Sequence, residues 1–257
     1  MTILDTIVEK KRVEVLQRKQ KYPLSRLCSL DYYRRKANAL RMPEGLPGII
    51  AEFKRKSPSR GPIHMDADVV EVANAYEAAG VSAMSILTDR TFFGGSFTDL
   101  KQVRESCPEL VLLRKDFIID PYQLHEASAY GADMVLLIAA VLDRREVQEL
   151  ALEARSLGLE VLFEVHHRGE LEKYSPEIKY VGVNNRDLKT FTVDTGRSLE
   201  LIAHMPPGVV PVSESGLSRP EEIKKLWEAG YKLFLMGENF MKEKDPGAAC
   251  SSLIDSL

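Results

Sequence analysis

The chain has 257 residues, of which 44% are hydrophobic and 28% charged, and its formal net charge is -3. This length allows a large core in one big domain or two small ones, and the lack of a long basic run interleaved with aromatics argues against nucleic acid as a partner. No apolar stretch reaches the roughly 18 residues that span a bilayer. The three scattered cysteines predict neither a disulfide framework nor a zinc site, and no signal peptide is evident, so the expected setting is a reducing cytoplasm.

The N-terminal part of the chain predicts a helical arm. An apolar stripe indicates a helix over residues 2–19 with Thr2 as its N-cap, and the run Lys10-Lys11-Arg12 is expected on the solvated face of that helix. A second short helix is expected over residues 31–40. A connector rich in Pro and Gly at residues 42–48 then separates this arm from the first strand.

A unit of amphipathic helix, glycine and short apolar run recurs through the rest of the chain. Each glycine fits the end of a helix, where the chain reverses before the next strand. Together with the first apolar run, this gives eight strand candidates, which start near residues 49, 83, 110, 133, 159, 180, 209 and 232.

Short, continuous apolar strands are typical of a parallel sheet that is covered on both faces. We therefore expect an α/β fold in which residues 1–257 form one domain, a single (β/α)8 TIM barrel at residues 48–257 with residues 1–47 as an N-terminal helical extension. A doubly wound open sheet is the alternative. It more often carries a Gly-rich phosphate fingerprint after the first strand, and Ser57-Pro58-Ser59-Arg60-Gly61 does not match one.

Polar residues at the strand ends are the candidate functional residues, because the active sites of such barrels gather at the C-terminal ends of the strands. Alternation places Glu52 and Lys54 on one face of the first strand, although an edge strand with solvated charges would also explain that stretch. Mutual pairing would offset the high cost of burying these charges and would shift their pKa values toward general acid/base work. Three carboxylates, two lysines and an amide are expected to converge on one mouth: Glu52, Glu164, Glu214, Lys54, Lys115 and Asn184.

The ends of strands 7 and 8 predict a phosphate site. Ser215-Gly216 and Gly237-Glu238 offer small residues where barrels hold phosphate on backbone N–H groups, and Ser57 adds a hydroxyl. The alternative is that these glycines only make turns.

Four long motifs resemble those of the indole-3-glycerol-phosphate synthase family, a barrel of tryptophan biosynthesis: Ile50–Ser59, Leu113–Gln123, Val183–Leu188 and Ser213–Gly216. They occur in the right order, and the resemblance covers essentially the whole chain. With no second catalytic barrel following, it implies the monofunctional form. It also implies a carboxy-lyase that converts 1-(2-carboxyphenylamino)-1-deoxyribulose 5-phosphate to indole-3-glycerol phosphate, CO₂ and water, without a metal or an organic cofactor.

Site residues follow from the resemblance by motif position. Lys115 resembles the general acid for ring closure, Lys54 the residue that holds the substrate carboxylate, and Glu164 the acid/base partner of the later dehydration. Glu52 would pair with the lysines and tune them. The resemblance further implies residues that orient the substrate (Asn184, Glu214, Ser215), that hold its phosphate (Ser57, Gly216, Gly237, and Glu238 with its side chain turned outward), that pack on its aromatic ring (Phe93, Phe117) and that lie near the site (Arg186).

The partners follow in the same way. The resemblance implies a small-molecule sugar-phosphate substrate, no nucleic acid and no membrane, and it allows contacts with other tryptophan-pathway enzymes. It also implies that the N-terminal arm caps the barrel mouth. Adjacent His166 and His167 raise the question of a metal, but neighbouring histidines seldom reach one ion and no third ligand is suitably spaced, so no metal site is predicted.

Three rival functions stay open at this point. A Schiff-base aldolase would use Lys115 or Lys54 as its nucleophile, which also suits a lysine beside carboxylates. A non-catalytic sugar-phosphate-binding barrel would not need the paired acids and bases. An isomerase of a neighbouring step would need a different acid/base pair, and the end of strand 1 carries Lys54 rather than a thiol.

Overall fold

Eight parallel strands close into a barrel in a computed structural model that describes residues 2–187 and 192–257. Each strand pairs with the next one in the chain, and the last strand pairs with the first, with Gly48 opposite Leu233. The prediction of a TIM barrel is therefore confirmed, and the open sheet is excluded. The strands are β1 Gly48–Phe53, β2 Ala83–Leu87, β3 Leu112–Lys115, β4 Met134–Ile138, β5 Glu160–Val165, β6 Tyr180–Asn184, β7 Val210–Glu214 and β8 Leu233–Met236.

Helices precede the barrel and alternate with its strands. No helix among the described residues is long and apolar enough to cross a membrane. The loop after β1 carries a two-residue hairpin, Lys56–Ser57 against Gly61–Pro62, and 3₁₀ turns lie at Arg168–Lys173 and Ile202–His204. The helices are α1 Ile3–Lys21, α2 Leu24–Cys28, α3 Val69–Ala78, α4 Arg90–Phe93, α5 Phe97–Ser106, α6 Pro121–Ala129, α7 Arg144–Ser156, α8 Gly196–Leu201, α9 Pro220–Glu228, α10 Glu238–Met241 and α11 Pro246–Ile254.

Strand alternation divides the apolar core into two layers. On β1, Ile49, Ala51 and Phe53 face outward and pack with the surrounding helices, whereas Ile50 packs with the side chains that fill the barrel interior. Glu52 lies on the same face as Ile50, two residues nearer the C-terminal end of the strand. The interior therefore changes from apolar to charged at the mouth of the barrel.

The N-terminal arm confirms one expectation and corrects two. Thr2 caps α1 in a capping box with Asp5, as expected for the N-cap. The expected solvated position of Lys11 is wrong, because its side chain is only 2% exposed. It lies between two aspartates of the barrel, Asp89 and Asp116.

The helix expected over residues 31–40 is also wrong, since the short helix of this region is α2, earlier in the chain. Asp133, at the opposite end of the barrel from the mouth, explains the difference. Its carboxylate accepts a hydrogen bond from the backbone N–H of Asn38 at 2.7 Å and an ion pair from Arg35, so the chain runs along the barrel instead of turning into a helix. Arg34 just before has a φ of 58°, which a helix does not allow.

Candidate active site

The C-terminal ends of the strands surround an open cavity of about 480 Å³. Ile3, Leu4 and Ile7 of α1 form part of its wall, so the arm lies at the mouth as expected. Leu188, the last residue of the third motif, is outside the described residues. Thirteen of the residues singled out from the sequence line this cavity: Glu52, Lys54, Ser57, Phe93, Lys115, Phe117, Glu164, Asn184, Arg186, Ser215, Gly216, Gly237 and Glu238.

Lys115 stands at the centre of a cluster of charges. Its Nζ lies 2.6 Å from Oε2 of Glu214, 3.7 Å from Oε2 of Glu164 and 3.9 Å from Oε2 of Glu52. Glu214 is fully buried and is not part of the cavity lining, but it accepts a hydrogen bond from Lys115, which is. Lys54 Nζ binds the other oxygen of Glu52 at 2.7 Å. The described cluster thus joins two ammonium groups to three carboxylates.

Two glycines make room for these carboxylates. A Cβ on Gly182 in β6 would collide with Oε1 of Glu214, and a Cβ on Gly237 would lie 2.8 Å from both Cβ and Oε1 of Glu52. Gly237 therefore shapes the carboxylate cluster in addition to any role at the phosphate end. Sequence reasoning missed Gly182, although a glycine inside an apolar strand often marks a close approach.

Burial and charge act in opposite directions on the pKa values of the cluster. Burial lowers the pKa of Lys115, but Glu214, Glu52 and Glu164 outweigh burial and hold that pKa above its usual value. Burial raises the pKa of Glu52, but Lys54 and Lys115 bring it below the ordinary range. Burial raises the pKa of Glu214 to about 7 although Lys115 opposes the change. Lys115 is accordingly an ammonium in the free protein, and Glu214 is the carboxyl that gives up its proton near neutral pH.

A second group of charges lies at the rim, where the sequence predicts the phosphate site. A phosphate site that uses the backbone of Glu238 requires its side chain to turn outward, and in the structure this carboxylate pairs with Arg60 at 2.8 Å and with Arg186 at 3.1 Å. The two guanidinium groups explain this orientation, because each offers charged donors to the carboxylate. The oxygen of Ser57 accepts the backbone N–H of Arg60 at 3.2 Å, which shapes the loop after β1.

The loop after β7 begins with two residues of positive φ. Ser215 has a φ of 66° and Gly216 a φ of 76°. The left-handed conformation suits glycine but is strained for serine, so Ser215 is held there by its surroundings. One contact that holds it is the side-chain amide of Asn185, which donates to the carbonyl of Ser215 at 3.1 Å.

An apolar wall faces the charged cluster. The rings of Phe93 and Phe117 lie 6.0 Å apart between centroids with an interplanar angle of 37°. Both line the cavity together with the apolar residues of α1. A flat aromatic group would find apolar contact here, next to the lysines.

Lys11 is the functional candidate that sequence reasoning placed wrongly. Its Nζ lies 2.9 Å from Asp89, 3.0 Å from Asp116 and 2.8 Å from Glu14. Burial lowers the pKa of Lys11, but the aspartates raise it above its usual value. Asp116 directly follows Lys115, the last residue of β3, and accepts the backbone N–H of Phe117 at 2.8 Å. Lys11 therefore ties the arm to the start of the loop after β3.

A signal for Lys11 was present in the sequence. It lies four residues after Ile7 and four before Val15, which are both buried, so it shares the apolar face of α1. Within residues 2–187 and 192–257, no group of three or more histidine, cysteine, aspartate or glutamate side chains is placed to hold a metal ion.

Comparison with known proteins identifies the family. The family model described as indole-3-glycerol phosphate synthase matches residues 4–253. An indole-3-glycerol phosphate synthase from Bacteroides thetaiotaomicron is 45% identical over 99% of this chain and 98% of its own length, and one from Verminephrobacter eiseniae is 44% identical over 98% of each chain. A crystal structure of 3-hexulose-6-phosphate synthase aligns with a TM-score of 0.64 over 82% of this chain and 99% of its own, but at 14% identity it supports the fold alone. The chain belongs to the indole-3-glycerol phosphate synthase family of carboxy-lyases.

Proposed function

We propose that the protein converts 1-(2-carboxyphenylamino)-1-deoxyribulose 5-phosphate to indole-3-glycerol phosphate, CO₂ and water, with Lys115 as the general acid. The observation that carries this proposal is the position of Lys115, a partly exposed ammonium among three carboxylates that lines the cavity beside Lys54. Membership of the family supports the overall reaction. The roles of individual residues rest on geometry and on the motif positions.

The shape and charge of the cavity suit the three parts of this substrate. The aromatic ring would lie against Phe93 and Phe117, with its carboxylate on Lys54. The phosphate would lie at the rim formed by Ser57 and the loops after β7 and β8, which include Gly216 and Gly237, and near the guanidinium of Arg186. Asn184 and Ser215 line the cavity between these ends, where the hydroxyl groups of the substrate chain would lie.

Ring closure needs a proton donor. The ring carbon that bears the carboxylate attacks the carbonyl carbon, and the carbonyl oxygen becomes an alkoxide unless it takes up a proton. Lys115 can supply that proton although its pKa is raised, because an alkoxide is a stronger base than an amine. The C–CO₂ bond then breaks and its electrons restore the aromatic ring.

Dehydration follows at the same place. The new hydroxyl leaves as water after it takes up a second proton, and a base removes the proton from the adjacent carbon to form the indole. Glu164 suits the role of base, because its carboxylate lines the cavity within 3.7 Å of Lys115. Glu52 would keep Lys54 and Lys115 in position by pairing with both.

The rival aldolase mechanism fits less well. A Schiff base forms from a neutral amine, and the three carboxylates around Lys115 favour its ammonium form. Borohydride added during turnover should therefore leave no substrate attached to the protein. A trapped adduct on Lys115 or Lys54 would favour the aldolase instead.

The proposal is tested by a fluorescence time course with purified protein, the carboxyphenylamino-deoxyribulose phosphate and excess EDTA. Indole fluorescence that rises at a catalytic rate supports the proposed reaction without a metal. Substrate binding without any product would mean that the barrel only binds sugar phosphates. An absence of both binding and product would refute the proposed substrate.

A further inference from the structure

A row of titratable side chains leads from Glu164 to the protein surface, and the proposed reaction leaves it without a role. Nε2 of His166 lies 3.5 Å from Oε1 of Glu164, and Nδ1 of the same ring lies 3.7 Å from Oε2 of Glu170. The other oxygen of Glu170 lies 3.3 Å from Nε2 of His167. Glu170 is buried and the side chain of His166 is 10% exposed, whereas the side chain of His167 is 69% exposed, so the row runs from the cavity wall to solvent.

The position of His166 in this row is fixed by the backbone. Its N–H donates to Oε2 of Glu170 at 2.6 Å, which holds the 3₁₀ turn Arg168–Lys173 against the end of β5. Both ring nitrogens of His166 are buried and have no hydrogen-bond partner among residues 2–187 and 192–257, and a buried donor left unpaired is costly. Small movements of the ring toward Glu164 or Glu170 would satisfy one nitrogen or the other. Such an exchange between two carboxylates is what proton transfer requires.

The charges around the ring favour an imidazolium. Three carboxylates face the ring of His166: Glu164 from β5, Glu170 from the 3₁₀ turn and Glu214 from β7. Burial lowers the pKa of His166, but these carboxylates raise it above its usual value, and His166 in turn helps to keep the pKa of Glu170 below its ordinary range against burial. His166 can therefore hold a proton at a pH where other histidines begin to lose theirs.

The proposed reaction needs a supply of protons from solvent, and this inference rests on that proposed function. The overall reaction, substrate carboxylate + H⁺ → indole product + CO₂ + H₂O, consumes one proton in every turnover. Ring closure and dehydration each take up one proton from the protein, and Glu164 recovers only one from the substrate. The missing proton must enter from solvent while substrate and α1 occupy the mouth of the cavity.

We propose that His166 relays this proton from solvent to Glu164 by way of His167 and Glu170. The neutral His166 ring, with its proton on Nε2, takes up a second proton on Nδ1 from Glu170, and the imidazolium so formed gives the Nε2 proton to Oε1 of Glu164. A tautomer exchange that returns the remaining ring proton to Nε2 completes the cycle. Glu170 is protonated again by His167, which exchanges with water. Glu164 passes its proton on to Lys115, which is thus returned to the ammonium form. His166 does not touch the substrate in this scheme, because its ring does not line the cavity.

The test compares His166→Gln with His125→Gln. His125 is a suitable control because it is also a largely buried histidine paired with a carboxylate, Glu153 at 3.2 Å, but it lies on α6 outside the barrel. Since direct acid/base groups contribute about 10²–10⁴-fold, we expect His166→Gln to lose about 10-fold or more in kcat with little change in KM. The loss should grow as pH rises, because solvent supplies fewer protons, and imidazole in the buffer should restore part of the rate.

The outcomes separate a relay from a structural role. A loss of kcat that imidazole rescues, absent from His125→Gln, supports the relay. A rate within twofold of the wild type from pH 6 to 9, or a pH-independent loss that imidazole does not rescue, overturns it. Wild-type turnover, measured in the same assay, keeps the proposed reaction standing in either case, whereas failure of the wild type to form indole would overturn the reaction itself.

Discussion

Replacing Lys11 by methionine tests the link between the arm and the barrel. Methionine fills a similar volume but removes the ammonium from between Asp89 and Asp116, whose side chains are each 1% exposed. Two buried carboxylates would then face each other without the cation that pairs them. We therefore expect the variant to be less stable and to hold the end of β3 and the loop after it less firmly.

The size of this effect follows from the partners that are left. Breaking a buried ion pair on one side costs about 3–5 kcal/mol. Asp116 keeps Arg114 at 2.9 Å and Thr88 at 2.7 Å, and Asp89 keeps the backbone N–H of Phe92 at 2.7 Å. These remaining partners place the expected loss near the lower end of that range, about 3 kcal/mol.

The loss of stability in Lys11→Met should depend on pH. Burial raises the pKa of Asp116, but Lys11 and Arg114 lower it well below its usual value. The stability gained from this carboxylate is therefore present above the unfolded pKa of about 3.9, and it disappears as pH falls through the folded pKa. The difference between wild type and Lys11→Met should therefore be full at pH 7 and shrink below about pH 4.

Urea unfolding followed by circular dichroism measures this difference. Lys10→Met is the matched control, because Lys10 lies next in the same helix but is exposed, and its contact with the ring of Phe92 contributes about 1 kcal/mol or less. Equal unfolding midpoints for Lys11→Met and Lys10→Met at pH 7 would refute the argument, and so would a difference that grows in acid.

Three further predictions concern the carboxylates and the loop after β7. Gly182→Ala should displace Glu214 and lower kcat on the order of 10²-fold with a smaller change in KM, as measured by steady-state kinetics, since misplaced catalytic groups are costly. Glu214→Gln should gain stability relative to wild type as pH rises from about 4.5 to about 7 and not beyond, because the folded state binds this proton more tightly than the unfolded state does. Ser215→Gly should raise the free energy of unfolding by up to about 1 kcal/mol, because it relieves the left-handed strain, while turnover falls with the loss of the hydroxyl.

Each of these three has a clear contrary result. Normal kcat in Gly182→Ala would mean that turnover does not depend on the present position of Glu214. A difference between Glu214→Gln and wild type that does not vary with pH would contradict a raised pKa for this carboxyl. A less stable Ser215→Gly would show that the serine side chain contributes more than its backbone strain costs.

The barrel and its charged mouth could be predicted because both depend on local patterns. Short apolar runs at regular spacing indicate parallel strands, and in a closed barrel every strand end is brought to one place. Glu52 and Lys115 could be singled out for that reason, without knowledge of any contact between them. Glu214 followed the same rule, although its distance of 2.6 Å to Lys115 could not be predicted.

What the sequence did not predict depends on contacts between distant segments. Lys11 was placed in solvent because a charged residue is ordinarily exposed, and its burial depends on two aspartates that follow β2 and β3, far from it in the sequence. The helix expected over residues 31–40 gave way to hydrogen bonds with Asp133, about 95 residues later in the chain. The pairing of Glu238 with Arg60 joins the loops after β8 and β1, and no local pattern in the sequence predicts it.

The measurement that tests the account most directly compares wild type and Lys115→Met in the indole fluorescence assay, with substrate binding measured separately by titration. Methionine keeps most of the volume of the side chain and removes its proton. We predict that kcat falls by about 10²–10⁴-fold, the usual contribution of a general acid, while the dissociation constant of the substrate changes only slightly. Turnover close to that of the wild type would contradict the role of Lys115, and with it the proposed mechanism.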